Sequence, residues 1–131
     1  MSSAEKLADA ATSRGRARHI WFPALVIAAD GGIEELRPTG PALGMLPGSR
    51  FTAVTRTLER GQSLFVYTDG LVEARSPTGD IYGGERLREV LRGRRNDPAS
   101  ELVRAVLDSL KTFGRHADPH DDVTILAARM V

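Results

Sequence analysis

The sequence predicts an α+β domain with an antiparallel sheet, and three observations support this fold class. Strand-like segments come first along the chain, two segments with apolar residues at helical spacing follow, and one more strand-like segment comes last. Strands that follow one another directly favour antiparallel pairing, because parallel neighbours need long crossover connections. The 131 residues are enough for one domain with its own hydrophobic core.

The first strands are predicted to form a β-hairpin over residues 24–29 and 33–36. The intervening Asp30-Gly31-Gly32 is a turn sequence that tolerates positive φ. After a loop rich in proline and glycine, the Thr- and Val-rich residues 50–58 predict a third strand. The Arg60-Gly61 turn then leads into a buried strand over residues 64–68.

Two helices and a last strand complete the predicted order of elements. The spacing of Leu87, Val90 and Leu91 predicts a short helix over 84–92. A second helix has Asp97 as N-cap and Pro98 at its first position, and Gly114 ends it. Its apolar face is predicted to comprise Leu102, Val103, Val106, Leu107, Leu110 and Phe113. Residues 123–128 predict the final strand. Near the start, Ser2 and Glu5 predict a capping box for one loosely docked helix.

Composition excludes several classes of function. The net charge of +1 gives no overall attraction to nucleic acid or anionic membranes, so neither is expected as a partner. The absence of cysteine excludes disulfides, thiolate metal sites and thiol catalysis. No apolar run approaches the roughly 20 residues of a membrane span, and residues 1–16 lack the apolar core of a secretory signal. We therefore expect a cytoplasmic protein.

Acidic residues stand at the ends of two predicted strands. Asp69 follows the run 64–68, which is apolar on both faces, and Asp121-Asp122 precedes the run 123–128. Ends of neighbouring strands can converge, and converging carboxylates bind hard divalent cations such as Mg²⁺ or Mn²⁺. The alternatives are a simple turn at Asp69-Gly70 and a solvated acidic pair at 121–122.

Two other groups of residues have simpler interpretations. His116 and His120 are four residues apart, but Pro119 opposes a zinc-binding helix there, so solvated loop histidines are the better interpretation. The arginines of the 84–95 region alternate with Glu85 and Glu89, which favours a solvated helix face over a phosphate or nucleic-acid site. These arginines are Arg86, Arg88, Arg92, Arg94 and Arg95.

Four segments together resemble one known family. They are Gly-Pro-Ala-Leu-Gly at 40–44, Gly-Gln-Ser-Leu-Phe-Val-Tyr-Thr-Asp-Gly-Leu-Val-Glu-Ala at 61–74, Tyr-Gly-Gly-Glu-Arg-Leu at 82–87 and Asp-Asp-Val-Thr-Ile-Leu at 121–126. Their order and spacing resemble the C-terminal half of metal-dependent protein serine phosphatases of the PPM type. The similar branch is the bacterial one of the sporulation stage II E phosphatase and stress-response sigma-factor regulators.

The resemblance implies an α-β-β-α sandwich of antiparallel sheets flanked by helices, of which this chain matches a part. It implies two or more Mn²⁺ or Mg²⁺ ions at one end of the sandwich, and a metal-bound water that attacks phosphoserine. By position, Asp69 and Asp121 match metal-ligand aspartates, and Asp122 lies beside them. The implied substrate is a phosphorylated anti-sigma-factor antagonist or a similar phosphoprotein.

The resemblance runs over residues 24–131, and residues 1–23 form a divergent N-terminal segment. The family's first catalytic Asp and its metal-bridging Gly-Asp motif lie in the N-terminal half, and residues 1–23 match neither. Residues 17–23 are a distorted form of the family's Ala-Gly-His-x-Pro segment, with Arg18 where Gly belongs.

Three hypotheses follow from this partial match. The first is a phosphatase of this family that retains Asp69 and Asp121 as metal ligands. The second is a non-catalytic remnant that acts as a protein-binding module, and the third is an inert fragment from a misassigned start. Because strands of the family pattern are missing from the match, we expect a sheet edge and an apolar face to be exposed, which favours self-association.

Overall fold

The structure of the protein is a computed structural model that describes residues 22–40, 44, 46–115 and 122–131. Residue contacts divide the chain into two units, and the larger unit comprises residues 22–37 and 56–131. Every helix and strand among the described residues belongs to this larger unit. The predicted helix at Ser2 and Glu5 lies outside the described residues.

Among the described residues, seven elements follow one another in the order β-β-β-α-α-α-β. They are β1 Ala24–Ile27, β2 Ile33–Leu36, β3 Ser63–Tyr67, α1 Asp69–Val72, α2 Gly83–Gly93, α3 Ala99–Phe113 and β4 Ile125–Arg129. The four strands form one antiparallel sheet in the order β2-β1-β3-β4. The predicted α+β class is confirmed.

The hairpin of β1 and β2 forms where the turn sequence predicts it. Gly31 has a φ of 94°, a conformation that glycine adopts without steric cost. The Ala28 N–H donates to the Gly32 carbonyl at 2.8 Å, and the Gly31 N–H donates to the Ala28 carbonyl at 3.0 Å. The Asp30 carboxylate accepts the Gly32 N–H at 2.8 Å and so closes the turn from its side chain.

The hydrophobic core lies between one face of the sheet and helices α2 and α3. In the sheet register Leu25 is opposite Phe65, and Phe65 is opposite Ala127, so these side chains share a face. The core is completed by buried side chains of the loops and helices. It comprises Leu25, Ile27, Phe65, Tyr67, Leu71, Tyr82, Leu87, Leu91, Leu102 and Val106.

Four of the six residues that were predicted to form the apolar face of α3 lie in or against the core. Leu102 and Val106 are buried, and Leu110 and Phe113 are half-buried against the core. Leu107 lies at the margin of this face and is 36% exposed. On the opposite side Arg104, Asp108 and Lys111 are exposed, as the helical spacing predicts.

Two local predictions are wrong. Residues 50–58 form no strand, and residues 51–57 are all exposed. Thr and Val favour a strand only where a neighbouring strand supplies ladder partners, and no described strand pairs with this segment. At α3 the N-cap is Pro98, not Asp97, because Pro98 has an extended ψ of 153° and its carbonyl accepts the Glu101 N–H. The Asp97 carboxylate accepts a bond from Arg94 instead.

The smaller unit includes residues 38–55, within which hydrogen bonds join two threonines. The Thr39 hydroxyl donates to the Thr52 carbonyl at 2.6 Å and accepts the Thr52 N–H at 3.3 Å. Residues 46–49 form a turn, in which both the N–H and the hydroxyl of Ser49 donate to the Leu46 carbonyl.

Candidate metal site at the ends of β3 and β4

Asp69 lies directly beyond the end of β3, on a short helix that is anchored in the core. It is half-buried and is the first residue of α1, with Thr68 as the N-cap. Leu71 is fully buried, and its N–H donates to the Thr68 carbonyl at 3.1 Å. The Glu73 N–H donates to the Asp69 carbonyl at 2.9 Å. The backbone of Asp69 is therefore held in place by both burial and hydrogen bonds.

Asp122 lies in the segment that leads into β4, and its backbone is bonded to the residue that precedes Asp69. The Thr68 hydroxyl donates to the Asp122 carbonyl at 3.3 Å. The Thr68 N–H donates to the Thr124 carbonyl at 3.1 Å, and the Thr124 N–H donates to the Thr68 hydroxyl at 3.0 Å. The segments carrying Asp69 and Asp122 thus meet at one end of the β3–β4 pair, while Asp121 lies outside the described residues.

The charge of Asp69 acts on the last residue of β3. Burial raises the pKa of Tyr67, the nearby Arg88 guanidinium lowers it, and the charges of Glu35 and Asp69 raise it. Arg88 itself donates to the Glu35 carboxylate at 3.1 Å. The helix-covered face of the sheet therefore has polar side chains from β2 and α2 close to the strand end that leads into Asp69.

The described side chains fit a divalent cation in chemical type but supply only part of a site. Asp69 and Asp122 offer carboxylate oxygens, the donors that Mg²⁺ and Mn²⁺ prefer. Among residues 22–40, 44, 46–115 and 122–131, no three acidic or histidine side chains are grouped closely enough to hold one ion. A complete site needs further oxygens, and Asp121 is the adjacent candidate.

The arginines of α2 and the turn that follows it contact protein groups. Arg92 pairs with Glu85, and Arg94 pairs with Asp97. Arg86 donates to the carbonyls of Ile81 and Tyr82, and its guanidinium lies 4.6 Å from the centre of the Phe113 ring. Arg95 donates to the carbonyls of Ala29 and Arg92. These contacts favour structural roles for the arginines over an anion site. His116 and His120 lie outside the described residues.

Comparison with known proteins connects this geometry to a family. The family described as Stage II sporulation protein E (SpoIIE) matches residues 8–131, nearly the whole chain. This chain belongs to the SpoIIE family. The chain is also 33% identical over 105 residues to Protein IcfG of Synechocystis sp., a match that covers 80% of this chain and 16% of IcfG.

Two of the solved structures that are similar to this SpoIIE-family chain match more than four fifths of it. One is the SiaA-PP2C domain of Pseudomonas aeruginosa, with a TM-score of 0.67 and 27% identity over 84% of this chain and 43% of that one. The other contains the RsbU and RsbW domains of Rv1364c from Mycobacterium tuberculosis, with a TM-score of 0.59 and 25% identity over 83% of this chain and 30% of that one. The resemblance to PPM-type (PP2C) phosphatase domains is thus confirmed, and the chain spans less than half the length of each of these three proteins.

The acidic residues of this SpoIIE-family chain stand out in the sequence, but the role of Thr68 does not. Thr68 makes three of the hydrogen bonds that join the two acidic segments. A threonine between a strand and an Asp-Gly pair is the only signal for it in the sequence. Among the described residues, no helix is long and apolar enough to cross a membrane.

Proposed function

We propose that this chain contributes one part of the metal centre of a protein serine phosphatase, with Asp69, Asp121 and Asp122 as its metal-binding residues. The observation that carries the proposal is the meeting of the Asp69 and Asp122 segments at Thr68, in a chain that belongs to the SpoIIE family. Metal-binding carboxylates must reach one ion from separate segments of chain, and adjacent strand ends bring separate segments together.

Mn²⁺ or Mg²⁺ bound there would activate a water molecule and neutralise charge on the phosphoryl group. The chain's own contribution is positional. The buried Leu71 and the hydrogen bonds of α1 hold the backbone of Asp69, and the hydrogen bonds to Thr68 hold the segment that carries Asp122. Because the backbone segments that carry Asp69 and Asp122 are already joined through Thr68, less order has to be created when an ion binds.

The proposed substrate is phosphoserine on a regulatory protein, such as a phosphorylated anti-sigma-factor antagonist. The similarity to a protein with RsbU and RsbW domains supports a role in regulatory signalling. The acidic groups of the candidate site suit the metal ions better than the phosphate, so the bound ions would provide the attraction for the phosphoserine.

A second candidate function is a binding module that recognises the same phosphoprotein without hydrolysing it. The favouring observation is that the described side chains group no three metal-binding residues. In-line attack needs a water that is activated and held against the phosphorus, and a single loosely bound ion supplies little of either. We therefore expect the isolated 131-residue chain to hydrolyse phosphoserine feebly or not at all.

A single-turnover assay separates the two functions. The chain is used in excess over a phosphoserine-containing antagonist protein with Mn²⁺ present, and released phosphate and bound antagonist are both measured. Slow Mn²⁺-dependent release that is lost in Asp69→Asn but kept in Asp108→Asn supports the phosphatase; Asp108 is an exposed acid on α3. Binding without release supports the module, and release at equal rates from wild type and Asp69→Asn contradicts the proposed site.

A further inference from the structure

Thr68 forms hydrogen bonds both to helix α1 and to the segment that leads into strand β4. In a regular antiparallel ladder, a hydrogen-bonded residue pair exchanges two backbone bonds. Thr68 and Thr124 form one of them, from the Thr68 N–H to the Thr124 carbonyl at 3.1 Å. The Thr68 carbonyl does not form the other: it accepts the Leu71 N–H at the start of α1, and the Thr124 N–H donates to a different atom of Thr68.

The Thr68 hydroxyl takes the place of that carbonyl in the ladder. It accepts the Thr124 N–H at 3.0 Å and donates to the Asp122 carbonyl at 3.3 Å. Threonine at an N-cap ordinarily uses its hydroxyl to accept a helix N–H, but Thr68 makes no such bond to α1. The hydroxyl is therefore committed to the segment that carries Asp122, while the backbone carbonyl is committed to the helix that carries Asp69.

We propose that Thr68 is a positioning residue of the metal centre, because its hydroxyl fixes the Asp122 segment against the start of α1. The inference rests on the proposed metal site and adds a residue to it that contacts neither metal nor substrate. Without the hydroxyl, β3 keeps its regular ladder up to Tyr67 and Ile125, but the acidic segment loses two of the three bonds that hold it at Thr68. Groups that hydrogen-bond a metal-ligating side chain commonly change metal affinity by about 10- to 100-fold when altered. Thr68 acts one step further out, through the backbone of Asp122, so we expect an effect at the lower end of that range.

Two variants of Thr68 and one matched control test the proposal. Thr68→Val keeps the shape of the side chain and removes the hydroxyl, whereas Thr68→Ser keeps the hydroxyl. Thr39→Val is the control, since Thr39 makes the same pair of donor and acceptor bonds to the backbone of Thr52. Folding of each variant is checked by its amide spectrum before the other measurements.

The first readout needs no metal. Amide hydrogen exchange at Thr124 reports the bond from its N–H to the Thr68 hydroxyl. We expect exchange roughly fivefold faster in Thr68→Val, the ratio that loss of about one hydrogen bond produces, and near-wild-type exchange in Thr68→Ser and Thr39→Val. Unchanged exchange in Thr68→Val overturns the proposal whether or not the chain is a phosphatase.

The second readout is the concentration of Mn²⁺ that broadens the amide signals of Asp69 and Asp122. We expect roughly tenfold more Mn²⁺ to be needed in Thr68→Val, with recovery in Thr68→Ser. Equal Mn²⁺ dependence in wild type and a folded Thr68→Val overturns the positioning role and leaves the proposed function intact. Absence of broadening in the wild-type chain overturns the metal site, and the positioning role with it.

Discussion

Tyr67 and Tyr82 are the two tyrosines of the chain, and the fold buries both phenol rings. Tyr82 packs edge-on against Phe113 with 5.4 Å between ring centroids, and its hydroxyl is 2.8 Å from the Ser109 hydroxyl. Burial raises the pKa of Tyr82, while the Ser109 hydrogen bond and the Arg86 charge lower it. For Tyr67, burial is again the main cause of a raised pKa, and Asp69 adds to the increase.

Alkaline titration of the phenols tests these environments. We expect neither tyrosine of the folded protein to ionise at the usual pKa of 10.0, because both folded-state values are raised. The tyrosines ionise at a lower pH in the unfolded chain than in the folded protein. Their contribution to the free energy of unfolding is therefore fully present below the unfolded-state pKa, and it is lost as the pH rises through the folded-state pKa values. Near-ultraviolet absorbance of the phenolate measures the titration, with Tyr67→Phe and Tyr82→Phe assigning each step. A step at the usual pKa in folded protein would contradict the burial.

Part of the candidate site was predictable at the residue scale. Asp69 and Asp122 are visible in the sequence because charged residues stand out at the ends of apolar runs. The role of Thr68 could not be predicted from the sequence. It depends on the strand register, which places the backbone groups of Asp122 and Thr124 within hydrogen-bonding distance of the Thr68 hydroxyl. The metal-binding role of Asp69, Asp121 and Asp122 stays a prediction.

Helix α3 supports the core through its buried face. Val106 is fully buried against the sheet side of the core, so Val106→Ala removes two methyl groups and leaves a cavity. We expect it to lower the free energy of unfolding by about 1–3 kcal/mol. Lys111→Ala on the exposed side of the same helix is the control and should change stability by less than about 0.5 kcal/mol. Chemical denaturation measures both, and equal effects would mean that α3 is not packed as described.

Elements that depend on residues close together in the sequence were predictable. Features that depend on which hydrogen-bonding partners the fold supplies were not. The hairpin, α2 and α3 follow from turn residues and helical spacing that act within a few residues. Residues 50–58 have strand-like composition but no described ladder partner, so composition alone gave the wrong element. The prediction that Asp97 is the N-cap of α3 was wrong for a similar reason. The Asp97 carboxylate accepts a hydrogen bond from Arg94, and the extended Pro98 is the N-cap.

Strand β4 forms one edge of the described sheet, and it carries an exposed apolar side chain. Leu126 is 56% exposed on the sheet face opposite the helices, next to the half-buried Val66. Edge strands with apolar side chains favour pairing with another chain. We expect the 131-residue chain to self-associate in a concentration-dependent way.

Sedimentation velocity over a range of concentrations measures this association. Leu126→Lys should shift the chain toward monomer, because a charge at the edge opposes pairing. Leu107→Lys is the matched control, since Leu107 is also exposed but lies on α3. A wild-type chain that stays monomeric at all concentrations, or an equal effect of both variants, would contradict an interface at β4.

At the scale of the chain, this SpoIIE-family sequence covers less than half of each of the three similar proteins named above, and the central question is whether its carboxylates bind metal. The most direct measurement is equilibrium binding of Mn²⁺ to the wild-type chain, Asp69→Asn and Asp108→Asn. We predict weak binding of about one ion by the wild type and by Asp108→Asn, and an affinity at least roughly tenfold lower in Asp69→Asn. Equal Mn²⁺ affinity in folded Asp69→Asn and wild type, or no Mn²⁺ binding by the wild type, would contradict the site.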